Sequence, residues 1–141
     1  MPEYHAPVLW LGQVAVATLP VEIDVANANP VREDLRTVLN RGSATLIVDL
    51  AGTTFCDSAG VNALVRAYQR AEACGARMQL VVSAPAVRRV LAITGVDHLI
   101  GTWPSVAAAL AAVDQPTQGE PTRPGCAAAR TDPEGWAAQP G

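Results

Sequence analysis

One short segment concentrates the residues that could carry chemistry. The apolar run Leu46–Leu50 leads into a turn that ends at Asp57 and Ser58, and Gly60 follows closely. Asp57 is suited to the N-cap of a helix, where its carboxylate accepts a hydrogen bond from the backbone N–H of residue 59 or 60. Ser58 then lies in the first helical turn, beside unpaired N–H groups that favour a bound or covalent phosphate.

The helix predicted after this turn has a polar face. Ser58, Asn62 and Arg66 follow one another at i, i+4 and i+8, so their side chains form one stripe opposite the apolar face. Gly60 lowers helix propensity by about 1 kcal/mol relative to alanine, so we expect another backbone or a ligand to approach it closely. The stripe fits either a recognition surface or an ordinary capped helix with a solvated face, and the residue pattern leaves both interpretations open.

A catalytic role for Ser58 has little support in the sequence. A serine nucleophile needs a base, and the chain's two histidines, His5 and His98, are not placed near Ser58 by any motif. The G-x-S-x-G elbow, the Walker A loop and the G-x-G-x-x-G fingerprint do not occur. The three cysteines lack the spacing of a zinc site. We therefore expect no enzymatic activity, no metal and no cofactor.

Composition narrows the class of protein further. With 141 residues, half of them hydrophobic, the chain is long enough for one domain with one core. The net charge is −3, and residues 1–113 carry nine acidic side chains against eight arginines, which argues against direct nucleic-acid binding. Because no apolar stretch reaches the length of a membrane span and no signal sequence begins the chain, we expect a cytoplasmic protein.

Strands and helices are predicted to alternate along most of the chain. The expected strands cover 8–18 (one or two strands with a turn at 12–13), 44–50, 78–83 and 99–100. The expected helices begin at a cap formed by Asn27 or Asn29, near Ser58, at Pro85 and at Pro104, and they end near 42, 75, 95 and 113. This pattern predicts an α/β fold with a mixed, mostly parallel sheet and four helices over residues 1–113. Residues 114–141 are rich in proline and glycine and poor in aliphatic side chains, so we expect a disordered tail.

Several of these segments together resemble a known family. Residues 22–24 read Glu-Ile-Asp, residues 55–61 read Phe-Cys-Asp-Ser-Ala-Gly-Val, and 85–87 and 94–96 read Pro-Ala-Val and Thr-Gly-Val. In this order they resemble the STAS domain of bacterial anti-sigma factor antagonists. The likeness covers roughly residues 8 to 113, and its most specific part is the Asp-Ser-x-Gly turn. It implies a single STAS-like domain.

The resemblance also implies a function. In that family the unphosphorylated antagonist binds an anti-sigma factor and so releases a sigma factor for transcription, as in stress responses. The anti-sigma factor is also the serine kinase that phosphorylates the residue matching Ser58, and a phosphatase reverses the modification. Asp24 matches an acidic residue that contributes to partner recognition or phosphorylation. The expected partner-binding residues are Asp24, Asp57, Ser58, Ala59, Gly60, Asn62 and Arg66.

Other uses of the same domain remain open at this point. A STAS subunit of a lipid transport system and a scaffold in a stress-sensing assembly are the alternatives. The complete Asp57–Gly60 turn favours the phosphorylation switch over a purely structural subunit. Ala59 stands where relatives often have a second serine or threonine, which removes a competing phosphate acceptor next to Ser58.

Overall fold

The computed structural model describes residues 6–113, which form seven strands and five helices. The strands are β1 (Val8–Leu11), β2 (Val14–Thr18), β3 (Glu22–Ile23), β4 (Thr45–Leu50), β5 (Phe55–Cys56), β6 (Arg77–Val82) and β7 (Gly101–Trp103). The helices are α1 (Ala28–Asn40), α2 (Ser58–Cys74), α3 (Pro85–Thr94), α4 (Val96–Leu99) and α5 (Val106–Val113). The expected tail, residues 114–141, lies outside the described residues, as does His5.

Five of the strands form one sheet in the order β1-β2-β4-β6-β7. β1 and β2 are an antiparallel hairpin around Gly12, whose positive φ of 64° fits the predicted turn. All other neighbours pair in parallel, which confirms the mixed, mostly parallel sheet. β3 and β5 form a separate two-stranded parallel ladder.

The central strand β4 is covered on both faces, as its unbroken apolar run predicts. Leu46 and Val48 pack in a large cluster with apolar residues of α1, α2 and α3, whereas Ile47 belongs to a smaller cluster on the other face with Ala109 of α5. The strand order advances steadily across the sheet, so right-handed crossovers place α1, α2 and α3 on one face. Of the helices in residues 6–113, none combines the length and apolar character that a membrane span requires.

The segment after α3 differs from the prediction. Residues 99–100 were expected to form a strand, but the chain makes the short helix α4 and the strand begins at Gly101. Gly95 ends α3 with a φ of 82°, and its carbonyl then accepts a hydrogen bond from the N–H of His98, which starts a new turn. The prediction of a strand at 99–100 is therefore wrong and the helix count is five instead of four, because a short apolar pair fits either state.

The loops at the carboxyl end of β4 are tied to the rest of the fold by a buried hydroxyl. Thr53 is fully buried, and its Oγ1 donates a hydrogen bond to the carbonyl of Pro20 over 2.7 Å. This bond joins the segment before β5 to the segment before β3. The two short strands are therefore held together by a side chain as well as by their own ladder.

We expect Thr53→Val to lower the free energy of unfolding by about 1–3 kcal/mol, because it removes the hydrogen bond that the buried Thr53 hydroxyl donates to the Pro20 carbonyl. Thr54→Val is the matched control, since Thr54 is exposed and its Oγ1 is 3.5 Å from the carbonyl of Val21. That change should stay within about 0.5 kcal/mol. Urea denaturation of both variants measures the difference, and equal losses would contradict a structural role for the Thr53 hydroxyl.

Candidate functional site

The small ladder of β3 and β5 brings two acidic residues together. Ile23 lies opposite Cys56, and the N–H of Asp57 donates to the carbonyl of Ile23 over 3.1 Å. Asp24 and Asp57 directly follow this pair on strands that run in parallel. They therefore leave the ladder side by side, at the start of α2.

Asp24 is held in a closed turn. Its Oδ1 accepts from the N–H of Ala26 over 2.9 Å, and its own N–H donates to Oδ1 of Asn27 over 3.0 Å. The amide nitrogen of Asn27 in turn donates to the carbonyl of Glu22 over 2.8 Å. Asn27 occupies the N-cap position of α1, one of the two positions predicted, but its side chain makes no cap hydrogen bond. Its side chain shapes the loop that carries Asp24, because that loop offers it both a donor and an acceptor.

The start of α2 has the predicted cap. Asp57 is extended at φ −94°, and its Oδ1 accepts from the N–H of Gly60 over 3.1 Å. Ser58 is the first helical residue and its side chain is exposed. Within residues 6–113 its hydroxyl makes no hydrogen bond, so it is accessible to a second protein. A group attached there would lie beside the N–H groups of the first turn, which have no partner within the helix.

Gly60 has a different role from the one expected. It is buried, and a Cβ at this position would lie 2.6 Å from Sγ of Cys56 and 2.8 Å from Cγ2 of Ile23. The predicted close approach is real, but the approaching groups are side chains of β3 and β5 and not a backbone or a ligand. The missing side chain lets α2 pack on the ladder, and the expected contact of Gly60 with a partner stays a prediction.

Cys56 is a core residue and not a reactive thiol. It is buried, and burial together with the nearby negative charge of Asp57 raises the pKa of its thiol to about 11. At neutral pH the thiol is therefore protonated, which is the form that a buried site favours. The Cys56 side chain fills space in the core directly under the start of α2.

The N-terminal halves of α1 and α2 enclose a groove of about 360 Å³ next to this helix start. Of the expected site residues, Ala59, Asn62 and Arg66 line it. Asn62 and Arg66 are exposed, in agreement with the predicted polar stripe. On the other side the groove is lined by Ala28, Asn29 and Arg32 of α1 and by Val25 of the loop before it.

The contribution of α1 to this groove was missed by sequence reasoning. Arg32 and Asn29 are one turn apart on the first turns of α1, a spacing equally typical of a solvated helix face. The structure places Arg32 across the groove from Arg66, so two guanidinium groups belong to one concave surface. Arg32 also lies 3.5 Å from the carboxylate of Glu33.

Three large apolar side chains near the two acidic residues are exposed. Val25, Val21 and Phe55 have exposed fractions of 81%, 60% and 49%. The carbonyl of Val21 accepts a hydrogen bond of 2.8 Å from the N–H of Thr54, the residue before Phe55. Val25 directly follows Asp24. We refer to Val21, Val25 and Phe55 as the apolar rim. Exposed apolar side chains close together in the fold are available for a partner to bury.

Among residues 6–113, no side chain is hydrogen-bonded to the Ser58 hydroxyl as a general base would be. His98 lies on α4, exposed, with its Nε2 3.8 Å from Oδ1 of Asp97, and among residues 6–113 no histidine is hydrogen-bonded to Ser58. In the same part of the chain, no group of three or more His, Cys, Asp or Glu side chains could hold a metal ion. The surface at the start of α2 instead presents the hydroxyl of Ser58, the acidic residues Asp24 and Asp57, and the apolar rim.

Comparison with known proteins agrees with this architecture. A family model described as the STAS domain matches residues 10–109. A solved anti-sigma factor antagonist from Mycobacterium paratuberculosis is 25% identical with a TM-score of 0.70, covering 78% of this chain and 93% of that one. The anti-sigma factor antagonist SpoIIAA in its unphosphorylated form is 22% identical with a TM-score of 0.68, covering 80% and 99%. A sulfate transporter family protein from Wolinella succinogenes is 18% identical with a TM-score of 0.60, covering 72% and 85%. Among curated proteins, none matches the sequence significantly.

We expect Gly60→Ala to lower the free energy of unfolding by about 1–3 kcal/mol through overpacking, although alanine favours the helix by about 1 kcal/mol. Gly52→Ala is the control, because a Cβ there meets nothing within 4 Å. The double variant Gly60→Ala/Cys56→Ala removes the nearest clashing atom, so its loss should be smaller than the sum of the two single losses. Chemical denaturation compares the parent with Gly60→Ala, Cys56→Ala, the double variant and Gly52→Ala, and a Gly60→Ala variant as stable as the parent would contradict the packing argument.

Proposed function

The chain belongs to the STAS domain family, and on this premise we propose that it is an anti-sigma factor antagonist switched by phosphorylation of Ser58. The unphosphorylated form binds an anti-sigma factor and releases a sigma factor. The anti-sigma factor is a serine kinase, and a phosphatase restores the active form. The observation that carries the proposal is the exposed hydroxyl of Ser58 at the first residue of α2, capped by Asp57 and bordered by the apolar rim. In this role the protein is a non-enzymatic regulator in the bacterial cytoplasm.

The position of Ser58 suits a phosphate that leaves the fold intact. A phosphate adds a charge of about −1.5 to −2 at neutral pH. The partial positive charge and free N–H groups of a helix N-terminus stabilise such a group. Because Ser58 is exposed and its hydroxyl holds no part of the core together, phosphorylation breaks no contact within the domain. The modification therefore acts on the surface and not on folding.

The same phosphate opposes a complex that covers Ser58. Asp57 and Asp24 already place negative charge at this point of the surface, and a docked partner would strip water from all three anions. Changing an equilibrium from nearly all bound to nearly all free takes about 5.5 kcal/mol. The free-energy cost of burying a new doubly charged group beside like charges can supply much of these roughly 5.5 kcal/mol. A local electrostatic switch is therefore sufficient.

The apolar rim supports binding in the unphosphorylated state. Val25 and Phe55 offer area that a partner can bury, and buried aromatic side chains are typical centres of binding energy. The groove beside the rim carries Arg66 and Arg32, which can pair with acidic side chains of the partner. We propose that Asp24, Asp57, Ser58, Ala59, Asn62 and Arg66 contact the partner, and that Gly60 positions them from beneath.

The alternatives use the same fold differently. Because the fold also occurs in a sulfate transporter family protein, architecture alone does not separate a switch from a lipid-transport subunit or a stress-sensing scaffold. A structural subunit has no need of an accessible hydroxyl at a helix start between two carboxylates. Ser58 is thus the residue on which the alternatives differ.

Incubation of the full chain with its cognate anti-sigma factor kinase and Mg–ATP should add one phosphate at Ser58, located by tandem mass spectrometry. Ser58→Ala should abolish incorporation. Ser105→Ala is the matched control, because Ser105 also precedes a helix, where its Oγ accepts from the N–H of Ala108 over 3.1 Å. Incorporation confined to other residues, or retained in Ser58→Ala, would refute the assignment of the acceptor.

Affinity for the same anti-sigma factor should depend on charge at residue 58. Ser58→Ala should bind about as tightly as the parent, and Ser58→Glu should bind at least about tenfold more weakly, because its carboxylate is desolvated next to Asp57. Isothermal titration calorimetry measures both. Ser105→Glu adds the same charge at the start of α5 and should leave affinity unchanged; equal affinities for Ser58→Ala and Ser58→Glu would place Ser58 outside the interface.

A further inference from the structure

The outer edge of β1 is unusually unprotected. β1 is the first strand in the sheet order, and it pairs with β2 on one side only. Within residues 6–113 no other strand pairs with it. Three of its four side chains, Leu9, Trp10 and Leu11, have exposed fractions of 58%, 37% and 43%. Adjacent exposed apolar residues on a free sheet edge are a template for strand pairing.

Within residues 6–113, the sequence features that normally block such an edge are absent. Natural sheets protect free edges with charged side chains, bulges or a proline on the outward-facing side. Residues 6–21 contain no charged side chain, and the pairing of β1 with β2 runs without a bulge. Pro7 precedes the strand, but its carbonyl accepts from the N–H of Thr18 over 3.0 Å, so Pro7 faces β2 and not the outer edge.

The hairpin register shows which backbone groups point outward. Hydrogen-bonded and non-bonded pairs alternate along an antiparallel ladder. Because Pro7 is bonded to Thr18, the next bonded positions of β1 are Leu9 and Leu11, opposite Val16 and Val14. The N–H and C=O groups of Val8 and Trp10 therefore point away from β2, toward the outer edge.

We infer that this edge pairs with the β1 strand of a second copy of the chain, antiparallel about a two-fold axis at Leu9. In this register Val8 lies opposite Trp10 of the second copy, and each such pair exchanges both backbone hydrogen bonds. The two Leu9 side chains meet at the axis on the face of the sheet that carries α5, since Leu9 lies opposite Val16 of the α5-facing cluster. Two sheets become one continuous sheet.

A second copy fits this edge because the edge is its own complement. The outward groups of Val8 and Trp10 are related by the two-fold, and the uncharged segment 6–21 brings no like charges together. With only four residues in β1, the interface is smaller than the roughly 1,600 Å² of a standard stable complex, so the dimer should be reversible. No residue of the groove or of the apolar rim belongs to β1. The pairing is therefore independent of the proposed switch.

Sedimentation velocity of the full chain over a range of concentrations should show a mass that rises from one chain toward two. Leu9→Lys places two like charges across the axis and should raise the dissociation constant at least about tenfold. Leu99→Lys is the control, because Leu99 is similarly exposed, at 47%, on α4 at the other side of the sheet. A chain that stays monomeric at all concentrations, or a Leu9→Lys variant that dimerises like the parent, would overturn the inference.

Amide hydrogen exchange followed by NMR tests the register itself. The N–H groups of Val8 and Trp10 should become protected as concentration rises, whereas those of Leu9 and Leu11, already bonded to β2, should change little. Trp10→Pro removes one outward donor without removing a hairpin hydrogen bond and should weaken the dimer likewise. Concentration-dependent protection at Leu9 and Leu11 instead of Val8 and Trp10 would refute this arrangement, even if a dimer forms.

Discussion

The position of the start of α2 depends on close packing at Gly60, which only a residue without a side chain allows. At Gly60 the helix α2 lies so close to β3 and β5 that a Cβ would overlap Sγ of Cys56 and Cγ2 of Ile23. This contact lets the start of α2 sit directly on the small ladder. Because the ladder ends in Asp24 and Asp57, the same contact brings the backbone of both acidic residues to the start of α2, where Ser58 is the first residue. The helix start is therefore fixed from beneath by packing and from the side by the Asp57 cap.

The cap has a second consequence for the switch. Asp57 already uses its carboxylate to satisfy the N–H of Gly60, so the favourable field of the helix start is shared between the cap and any group on Ser58. A phosphate is tolerated there while it remains in water. Once a partner covers the surface, the partial positive charge of the helix N-terminus must stabilise two anions in a desolvated site. That charge is enough for one anion but not for two. In the proposed switch, sensitivity to phosphorylation therefore arises in the complex, because the isolated domain has solvent to stabilise both charges.

Local rules predicted the parts of the site that depend on local geometry. The cap at Asp57 and the position of Ser58 follow from residue preferences at a helix start, and the long helices follow from apolar periodicity. The apolar rim could not be predicted, because β3 and β5 have two residues each and show no alternation that separates exposed Phe55 from buried Cys56. The side chains next to Gly60 come from β3 and β5, and contacts between elements cannot be read from local sequence. The sequence therefore indicated a close approach but not which residues make it. The prediction of a strand at residues 99–100 failed because two apolar residues are too few to show a helical or strand period.

The division between a buried anchor and an exposed acceptor explains how one fold can serve different purposes. Gly60, Ile23 and Cys56 determine where the start of α2 lies, and none of them is exposed. Ser58 lies on top of this anchor and contributes nothing to the core, so a related chain could replace it without losing the fold. The same backbone can therefore carry different residues at this exposed position, and the use of the domain depends on the site and not on the fold. In this chain that position carries an exposed hydroxyl next to the capping residue Asp57, and the proposed regulation by phosphate rests on it.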